Sequence, residues 1–268
     1  MPDIFADVDR ATPEQREAMI AFLEARAAAP ARRAILDDYL AALPFPQGAR
    51  VLEIGCGSGP VTRVLAGRLG GAAAVGIDPS AGFIARARAL GAGHPNLAFL
   101  RGDGHAPPFG DATFDAVVFH TMLLHLADPP RALAAAQRLL RPGGYLSVLD
   151  PDVQATSFAV ADHDPLQAMY TAAIPGSFRH PWLARRLPGL LGAAGFAVER
   201  VRNYGTIETR DEAGALAFVD ASADAAADAV GFGAELAAAF KAEARRRLAA
   251  GTFVREGSSI SVIARKAA

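Results

Sequence analysis

A chain of 268 residues is long for one compact core and short for two full domains, so we expect one elaborated domain over residues 1–268. The formal net charge of -1, with acidic and basic residues interspersed, excludes the concentrated positive charge typical of nucleic-acid-binding proteins, and we expect no nucleic acid as partner. The single cysteine, Cys56, excludes an intrachain disulfide and favours a reducing, cytoplasmic location.

Apolar residues make up 51% of the chain, but no uninterrupted apolar run is long enough to cross a bilayer, so we expect no membrane span. The opening segment MPDIFADVDR carries acids and lacks a basic stretch that leads into an apolar one, which is not the pattern of a secretory signal. The sequence does not show the oligomeric state, and a homodimer stays open.

Short apolar runs alternate with longer segments of helical periodicity, after an N-terminal helical stretch at 12–43. The predicted strands are 50–54, 73–77, 97–100, 114–119 and 144–149, and the predicted helices between them are about 60–69, 80–90 and 130–140. The strands are almost continuously apolar, which indicates burial on both faces. Repeated strand–helix–strand units predict an α/β fold, a doubly wound, mainly parallel sheet with right-handed crossovers and helices on both faces.

The rest of the chain adds two strands and two insertions to this pattern. A connection at 151–181 leads to a helix at 182–194 and to a strand that begins at Phe196. A second insertion at 206–257 carries two Ala-rich helical segments, and the last strand follows at 258–266. The sheet is therefore predicted to have seven strands, with the helical additions forming a lid over its ligand-binding edge.

Three glycines at alternate positions, Gly55, Gly57 and Gly59, follow the first predicted strand. Ligands of an open parallel sheet bind at the carboxyl ends of its strands, so this loop is the expected binding place. Glycine admits unusual backbone angles and lets a ligand reach backbone N–H groups. Asp78 ends the second strand, where a carboxylate can accept hydrogen bonds from both hydroxyls of a ribose. The loop and the acid together predict a nucleoside-containing cofactor.

The spacing of the loop distinguishes between classes of cofactor. A dinucleotide fingerprint reads G-x-G-x-x-G, whereas Pro60 stands here in place of its third glycine. No Gly-Lys-Ser/Thr follows, which excludes a P-loop. Glu53 lies just before the loop, where it disfavours a pyrophosphate and favours a ligand with a positively charged end. S-adenosylmethionine has an ammonium group and a sulfonium, and it has no phosphate.

Five consecutive segments resemble, in order, the motifs of the class I S-adenosylmethionine-dependent methyltransferases. They are VLEIGCGSG, VGIDPS, RGDGHAPPF, FDAVVFHTMLLHL and LRPGGYLSVLD. The resemblance covers roughly 48–150 and is to the small-molecule branch, which includes the quinone-biosynthesis methyltransferases. It implies S-adenosylmethionine as cofactor and S-adenosylhomocysteine as product. It also implies a cofactor-binding core at 48–150, an N-terminal helical cover at 12–43, and substrate-side insertions at 151–181 and 206–257.

The resemblance assigns roles around the methionine and the ribose. Gly55, Gly57 and Gly59 would let both groups lie against the backbone. Asp78 would hold the ribose hydroxyls, and Glu53 would steer the methionine end indirectly or through the loop. Turn formation by the glycines and helix capping by Asp78 stay open as alternatives.

The resemblance also assigns roles around the adenine. Pro79 would pack near the ring, Asp103 would accept a hydrogen bond from the amino group, and Gly104 would donate from its backbone. His120, just past the fourth strand, would contact the methionine portion through its own backbone. A plain turn role for Asp103 stays open.

The candidate catalytic residues are His120, His125 and Asp150, near the carboxyl ends of the fourth and fifth strands. Methyl transfer from a sulfonium requires mainly alignment and exclusion of water, and a base is needed only when the acceptor must lose a proton. A histidine suits this role because its pKa lies near neutrality, and we favour His125. A structural role for His125 beside the helix that starts at Asp128 is an open alternative. No metal is predicted, since the Asp-Pro-Asp segment at 150–152 lacks further ligands.

The methyl acceptor is expected to be small and largely apolar, because large apolar side chains concentrate beyond the fifth strand. They are Phe158, Met169, Tyr170, Phe178 and Trp182. Such a pocket fits a specialised metabolite or a quinone-like compound, methylated on oxygen, nitrogen or carbon. Two other functions stay open, a cofactor-binding protein with a non-methylating catalytic or regulatory role and a nicotinamide-dependent oxidoreductase. Pro60 and Glu53 argue against the oxidoreductase.

Overall fold

A sheet of seven strands forms the centre of the computed structural model, which describes residues 5, 8–211, 214–231 and 233–267. The strands are β1 (Val51–Ile54), β2 (Ala74–Asp78), β3 (Leu97–Arg101), β4 (Phe114–His120), β5 (Leu140–Pro151), β6 (Phe196–Glu208) and β7 (Arg255–Lys266). Within this part of the chain their order is β3-β2-β1-β4-β5-β7-β6. Strands β1 to β5 run parallel, whereas β7 is antiparallel to both of its neighbours, β5 and β6. The predicted α/β class and seven-stranded, mainly parallel sheet are confirmed.

The helices begin where local sequence chemistry favours a start. They are α1 (Pro13–Ala28), α2 (Pro30–Ala41), α3 (Pro60–Arg68), α4 (Ala81–Gly91), α5 (Pro129–Leu139), α6 (Pro165–Ser177), α7 (Leu183–Ala193), α8 (Ala215–Val230) and α9 (Gly233–Ala249). Thr12 and Gln15 form a capping box before α1, in which each side chain accepts from the backbone N–H of the other. The Asp128 side chain accepts from the N–H of Arg131 at 3.0 Å, so α5 begins at the predicted Asp-Pro-Pro segment.

Alternate residues of the central strands pack into two separate apolar clusters. Leu52 and Val117 join the cluster that contains the buried face of α5. Val51 and Val118 join the cluster that contains buried residues of α2 and α3. Because successive strand residues point to opposite faces, helices cover the sheet on both sides. This arrangement explains why the strands are apolar without alternation.

Three strand boundaries differ clearly from the sequence-based expectation. Strand β5 begins earlier than predicted, because Leu140 pairs with Phe114 ahead of a register shift in the ladder. The Arg-Pro-Gly-Gly segment, which lies between the predicted helix and the predicted strand, is thus an irregularity within the strand. Strand β6 continues to Glu208 and β7 starts at Arg255, which shortens the insertion predicted at 206–257.

The two antiparallel strands bring further residues to the carboxyl edge of the parallel strands. Pro151, at the end of β5, pairs with Ser259 of β7. Glu208, at the end of β6, pairs with Arg255 at the start of β7. Residues of β6 and β7 can therefore contribute to a site at the edge where β1, β2, β4 and β5 end.

The two insertions form a helical layer next to this edge. Helix α6 packs against α8 and α9. The guanidinium of Arg247 on α9 donates two hydrogen bonds to the buried Asp164 carboxylate before α6, at 2.7 and 3.1 Å. This paired fork fixes the two segments together. Among the helices that the structure describes, none is long and apolar enough to cross a membrane.

Candidate functional site

The predicted site residues converge on the strand ends and loops at one edge of the sheet. In chain order they are Glu53 in β1, Gly55, Gly57 and Gly59 after it, Asp78 and Pro79 at the end of β2, Asp103 and Gly104 after β3, His120 at the end of β4, His125 beyond it, and Asp150 in β5. The parallel sheet brings these positions together because its strands all end at this edge. Their side chains nevertheless have different partners, described below.

The glycine loop has the backbone geometry that its composition suggests. Gly55, Gly57 and Gly59 have φ of +77°, +53° and +83°, a region that strains side chains of L residues. The N–H of Gly55 donates to the carbonyl of Ile77 at 2.8 Å, which holds the loop against β2. A side chain at Gly59 would overlap the Phe99 ring. Packing against Phe99 therefore explains Gly59, whereas Met122 and Leu23 are the side chains that lie against Gly55 and Gly57.

The backbones of Gly55, Gly57 and Gly104 frame a crevice, which we call the glycine crevice. A Cβ atom on Gly55 would overlap the Met122 side chain, and one on Gly104 would lie 3.1 Å from Met122 Cε. A Cβ atom on Gly57 would lie 2.9 Å from Leu23 Cδ1 of α1. Met122 and Leu23 thus fill the crevice in this conformation. The Met122 side chain is flexible enough to withdraw from it.

Asp78 links the glycine loop to the start of the next helix. Its Oδ2 accepts from the N–H of Gly57 at 3.0 Å, and its Oδ1 accepts from the N–H of Ser80 at 2.9 Å. The N-cap of α4 is Ser80, whose side chain accepts from the N–H of Phe83. The alternative interpretation of Asp78 as the helix cap is therefore wrong. The carboxylate instead lies at the rim of the glycine crevice.

Glu53 is buried beneath the glycine loop. Its carboxyl accepts a hydrogen bond from the Thr62 hydroxyl of α3. Burial raises the pKa of Glu53 to about 8, the Thr62 hydrogen bond opposes this rise, and the nearby Asp78 charge adds to it. Glu53 therefore favours its neutral form near pH 7 and supports the loop from below.

Asp103 makes a local turn with His105. Its Oδ1 accepts from both the backbone N–H and the Nδ1 of His105, at 2.9 and 2.8 Å. The Nε2 of His105 accepts in turn from the N–H of Asp128 at 3.3 Å. Burial pushes the pKa of Asp103 upward, but the hydrogen bonds from His105 hold it below the ordinary value. The turn interpretation is confirmed, and the predicted contact with adenine stays a prediction.

His120 is fixed by Tyr39 of α2. Its Nδ1 lies 2.7 Å from the Tyr39 hydroxyl, and the two rings stack with centroids 5.8 Å apart. Burial, together with the positive charges of Arg26 and Arg32, lowers the pKa of His120 to about 3. The Tyr39 hydroxyl therefore donates to a neutral ring. At neutral pH such a ring is a weak proton acceptor.

Asp150 is fully buried near the end of β5. Neither oxygen of its carboxyl accepts a hydrogen bond of normal geometry from a described residue. Burial raises the pKa of Asp150 to about 8, although the N–H groups of Leu123, Leu124 and Met122 face the carboxyl and oppose this rise. An acid of this kind exchanges a proton near neutral pH, which is the property required of a general acid or base.

His125 ends a short 3-10 turn, Leu123–His125, that follows β4. Its N–H donates to the carbonyl of Met122 at 3.0 Å, and its ring lies 5.4 Å from the ring of Phe5. The cap of α5 is Asp128, so His125 does not cap that helix. Its predicted role as a base stays a prediction.

Sequence analysis missed a charged residue of the N-terminal helix at this site. The guanidinium of Arg26 on α1 donates to the hydroxyl of Thr121, immediately after β4, at 2.6 Å. Burial lowers the pKa of Arg26 to about 10, and the nearby Arg32 charge contributes. The sequence does contain one indication that Arg26 faces the protein. Arg26 follows Met19 and Leu23 at helical spacing, and these two residues pack into an apolar cluster.

Comparisons with known proteins identify the family to which the chain belongs. A family model described as "Methyltransferase domain" matches residues 52–148. A 2-phytyl-1,4-naphtoquinone methyltransferase of Thermosynechococcus vestitus is 35% identical over 177 residues, which cover 60% of this chain and 77% of that protein. Trans-aconitate 2-methyltransferase of Deinococcus radiodurans is 39% identical over 121 residues, and this match covers 45% of each chain. The chain thus spans about half the length of some curated relatives and three quarters of others.

A solved structure shows the same fold at greater sequence distance. The 4+2 cyclase SpnF is 23% identical to this chain, with a TM-score of 0.57 over 88% of this chain and 82% of that one. This likeness shows the fold alone, because one fold can support different reactions. The naphtoquinone methyltransferase and the matching family model establish the family. The chain belongs to the class I S-adenosylmethionine-dependent methyltransferases.

Proposed function

We propose that the enzyme transfers a methyl group from S-adenosylmethionine to an oxygen, nitrogen or carbon nucleophile of a small, largely apolar molecule, such as a quinone-like compound or a specialised metabolite. The glycine crevice is the single observation that carries this proposal. It brings the backbone of Gly55 and Gly57, against which Met122 and Leu23 now pack, next to the Asp78 carboxylate. The similarity to a naphtoquinone methyltransferase supports a quinone-like acceptor.

The residues of the glycine crevice fit S-adenosylmethionine. Asp78 would hold the ribose hydroxyls, and the backbones of Gly55 and Gly57 would lie along the methionine and ribose. Pro79, Asp103 and Gly104 would surround the adenine, as the family resemblance predicts. The cofactor supplies a methyl group that its sulfonium already activates. The protein's own task is to position this group and to move Met122 and Leu23 out of the crevice.

When the molecule to be methylated is a phenol or an alcohol, it must lose a proton, and Asp150 is the base that we propose for this step. The pKa of His120 near 3 makes its ring a weak base, whereas the pKa of Asp150 near 8 matches proton transfer near neutrality. The Asp150 carboxyl is fully buried and faces the backbone N–H groups of Leu123, Leu124 and Met122, so a substrate hydroxyl would reach it only when the site opens. His125 is the second candidate for this role.

The helices outside the core would exclude water from the reacting groups. Helix α1 contributes Leu23 and Arg26 directly to the site, which supports a covering role for residues 12–43. The Tyr170 hydroxyl of α6 donates to the carbonyl of Val153 just after β5, and Phe218 of α8 lies against Arg255 at the start of β7. These contacts support a substrate-side role for 151–181 and 206–257. A cytoplasmic location and an acceptor other than nucleic acid are part of the same proposal, and a homodimer stays open.

A non-methylating role is the second candidate, because a cyclase with this fold exists. The two sequence relatives named above, at 35% and 39% identity, are methyltransferases, so this alternative is not favoured. Incubation with methyl-labelled S-adenosylmethionine and a panel of quinols, phenols and amines distinguishes the two. We expect label in at least one acceptor. Tight cofactor binding without label in any member of the panel would favour the second candidate.

A further inference from the structure

Three arginines from distant parts of the chain meet beside the ends of β4 to β7. Arg32 of α2 and Arg255 of β7 both donate to the carboxylate of Glu208, at 3.0 and 2.7 Å. Arg26 of α1 donates to the Thr121 hydroxyl. Both Arg32 and Arg255 lie close enough to lower the pKa of Arg26 by charge repulsion. We call these three side chains the arginine cluster.

Among the residues that the structure describes, the ion pairs of the arginine cluster do not balance its positive charge. Glu208 supplies one negative charge that Arg32 and Arg255 share. Asp150, the acid whose charge acts on Arg26, favours its neutral form near pH 7 because burial raises its pKa to about 8. Unbalanced positive charge away from water is unfavourable and is offset by a bound anion. The arginine cluster therefore has positive charge that a bound anion would balance.

Arg255 has unused capacity to bind such an anion. Its side chain is only 12% exposed, and its Nε is buried without a hydrogen-bond partner among the residues described. A guanidinium binds carboxylate and phosphate oxygens through parallel N–H donors. The guanidinium of Arg255 also lies 4.1 Å from the centre of the Phe218 ring, which packs against Phe158 and Tyr170. The guanidinium of Arg255 thus lies against Phe218, the partly buried edge of an aromatic cluster whose members Phe158 and Tyr170 are buried in the core.

The position of the arginine cluster places it on the acceptor side of the site. Asp78, the predicted ribose ligand, ends β2, on the opposite side of β1 and β4 from β5 and β7. Arg26 contacts the residue after β4, and Arg255 begins β7 next to the end of β5. We propose that Arg26, Arg32 and Arg255 bind an oxyanion, a carboxylate or a phosphate, that the methyl acceptor carries. This inference rests on the proposed function and makes the acceptor an amphipathic acid with an apolar body.

Thermal unfolding of the wild type with matched aromatic probes tests this site. The probes are benzoate and phenyl phosphate, with benzamide as the neutral counterpart, each with and without S-adenosylhomocysteine. We expect a saturable rise in Tm with one or both anions and none with benzamide. An equal rise with benzamide, or none with either anion, overturns the inference. Stabilisation by S-adenosylhomocysteine alone reports on the proposed function, so failure of one is distinguishable from failure of the other.

Arginine variants identify where the anion binds. Arg255→Gln and Arg32→Gln should weaken binding of the effective anion about tenfold or more, as for loss of a charged hydrogen bond. Arg186→Gln, which changes an exposed arginine of α7, should not. Arg32→Gln keeps the inference testable if Arg255→Gln fails to fold. Unchanged anion binding in both variants overturns the assignment. So does weaker binding of S-adenosylhomocysteine alone, because the cluster would then bind the carboxylate of the cofactor.

Discussion

The Asp78 carboxylate accepts a hydrogen bond from the N–H of Gly57 at 3.0 Å, and this bond joins the end of β2 to the glycine loop after β1. The same acid is the predicted ligand of the ribose hydroxyls. We therefore expect Asp78→Ala to weaken binding of S-adenosylhomocysteine by about 1–3 kcal/mol, because buried polar partners lose their acceptor. Isothermal titration calorimetry measures this loss directly.

The matched control is Asp162→Ala, which removes an exposed acid outside the site. It should leave the affinity for S-adenosylhomocysteine unchanged. Circular dichroism would establish that both variants fold. An Asp78→Ala protein that folds and binds with wild-type affinity would remove Asp78 from the cofactor site.

Met122 fills the glycine crevice, so its side chain must leave when the cofactor binds. Met122→Ala should tighten binding of S-adenosylhomocysteine by about 1 kcal/mol, because expelling buried CH2 groups into water costs about 0.8 kcal/mol each. The control Met19→Ala truncates a buried methionine of α1 that lies in a different apolar cluster. It should reduce stability without tightening binding. Equal or weaker binding by Met122→Ala would contradict the displacement of this side chain.

Burial of Asp150 predicts a dependence of stability on pH. Its pKa is about 8 in the folded chain against an ordinary value of 3.8, so folding favours the protonated form. The resulting stability is fully present below about pH 4 and is lost as the pH rises through about 8. Between pH 5 and pH 9, the free energy of unfolding of the wild type should fall relative to that of Asp150→Asn, by about 1 kcal/mol or more.

Urea unfolding of both proteins across this pH range provides the measurement. The pKa of Glu53 is also raised to about 8, so Glu53 shifts both curves in the same direction and cancels in the difference. Parallel curves for the wild type and Asp150→Asn would contradict the raised pKa of Asp150.

Proton abstraction by Asp150 predicts a pH–rate profile for a phenolic acceptor. The rate should rise with pH to a plateau above about pH 8, because only the ionised carboxyl accepts a proton. Asp150→Asn should lower kcat about 100-fold or more while retaining affinity for S-adenosylhomocysteine. A large loss in His125→Ala together with normal turnover in Asp150→Asn would instead identify His125 as the base.

The core of the fold could be predicted because its signals are local. Apolar runs separated by helical segments specify the parallel strands, and Asp128 with its two following prolines specifies the start of α5. Glycine at positions 55 and 57 permits the left-handed backbone found there. The start of β5 could not be predicted in the same way. Leu140 belongs to the strand because it pairs with Phe114, which is distant in sequence, ahead of the Pro-Gly-Gly irregularity.

The contacts between distant residues at the site could not be predicted from local sequence patterns. The contact between Arg26 and Thr121 joins residues 95 positions apart, and that between Arg32 and Glu208 joins residues 176 positions apart. Nothing in the sequence near Met122 indicates that its side chain packs on Gly55. The high pKa of Asp150 likewise arises from burial by segments that only the folded chain brings together.

A crystal structure of the enzyme with S-adenosylhomocysteine tests the central claim most directly. We expect the ribose hydroxyls within hydrogen-bonding distance of Asp78, the methionine portion along the backbone of Gly55, and the Met122 side chain displaced from the crevice. Electron density for the ligand at any other place, with Met122 still packed on Gly55, would contradict the account.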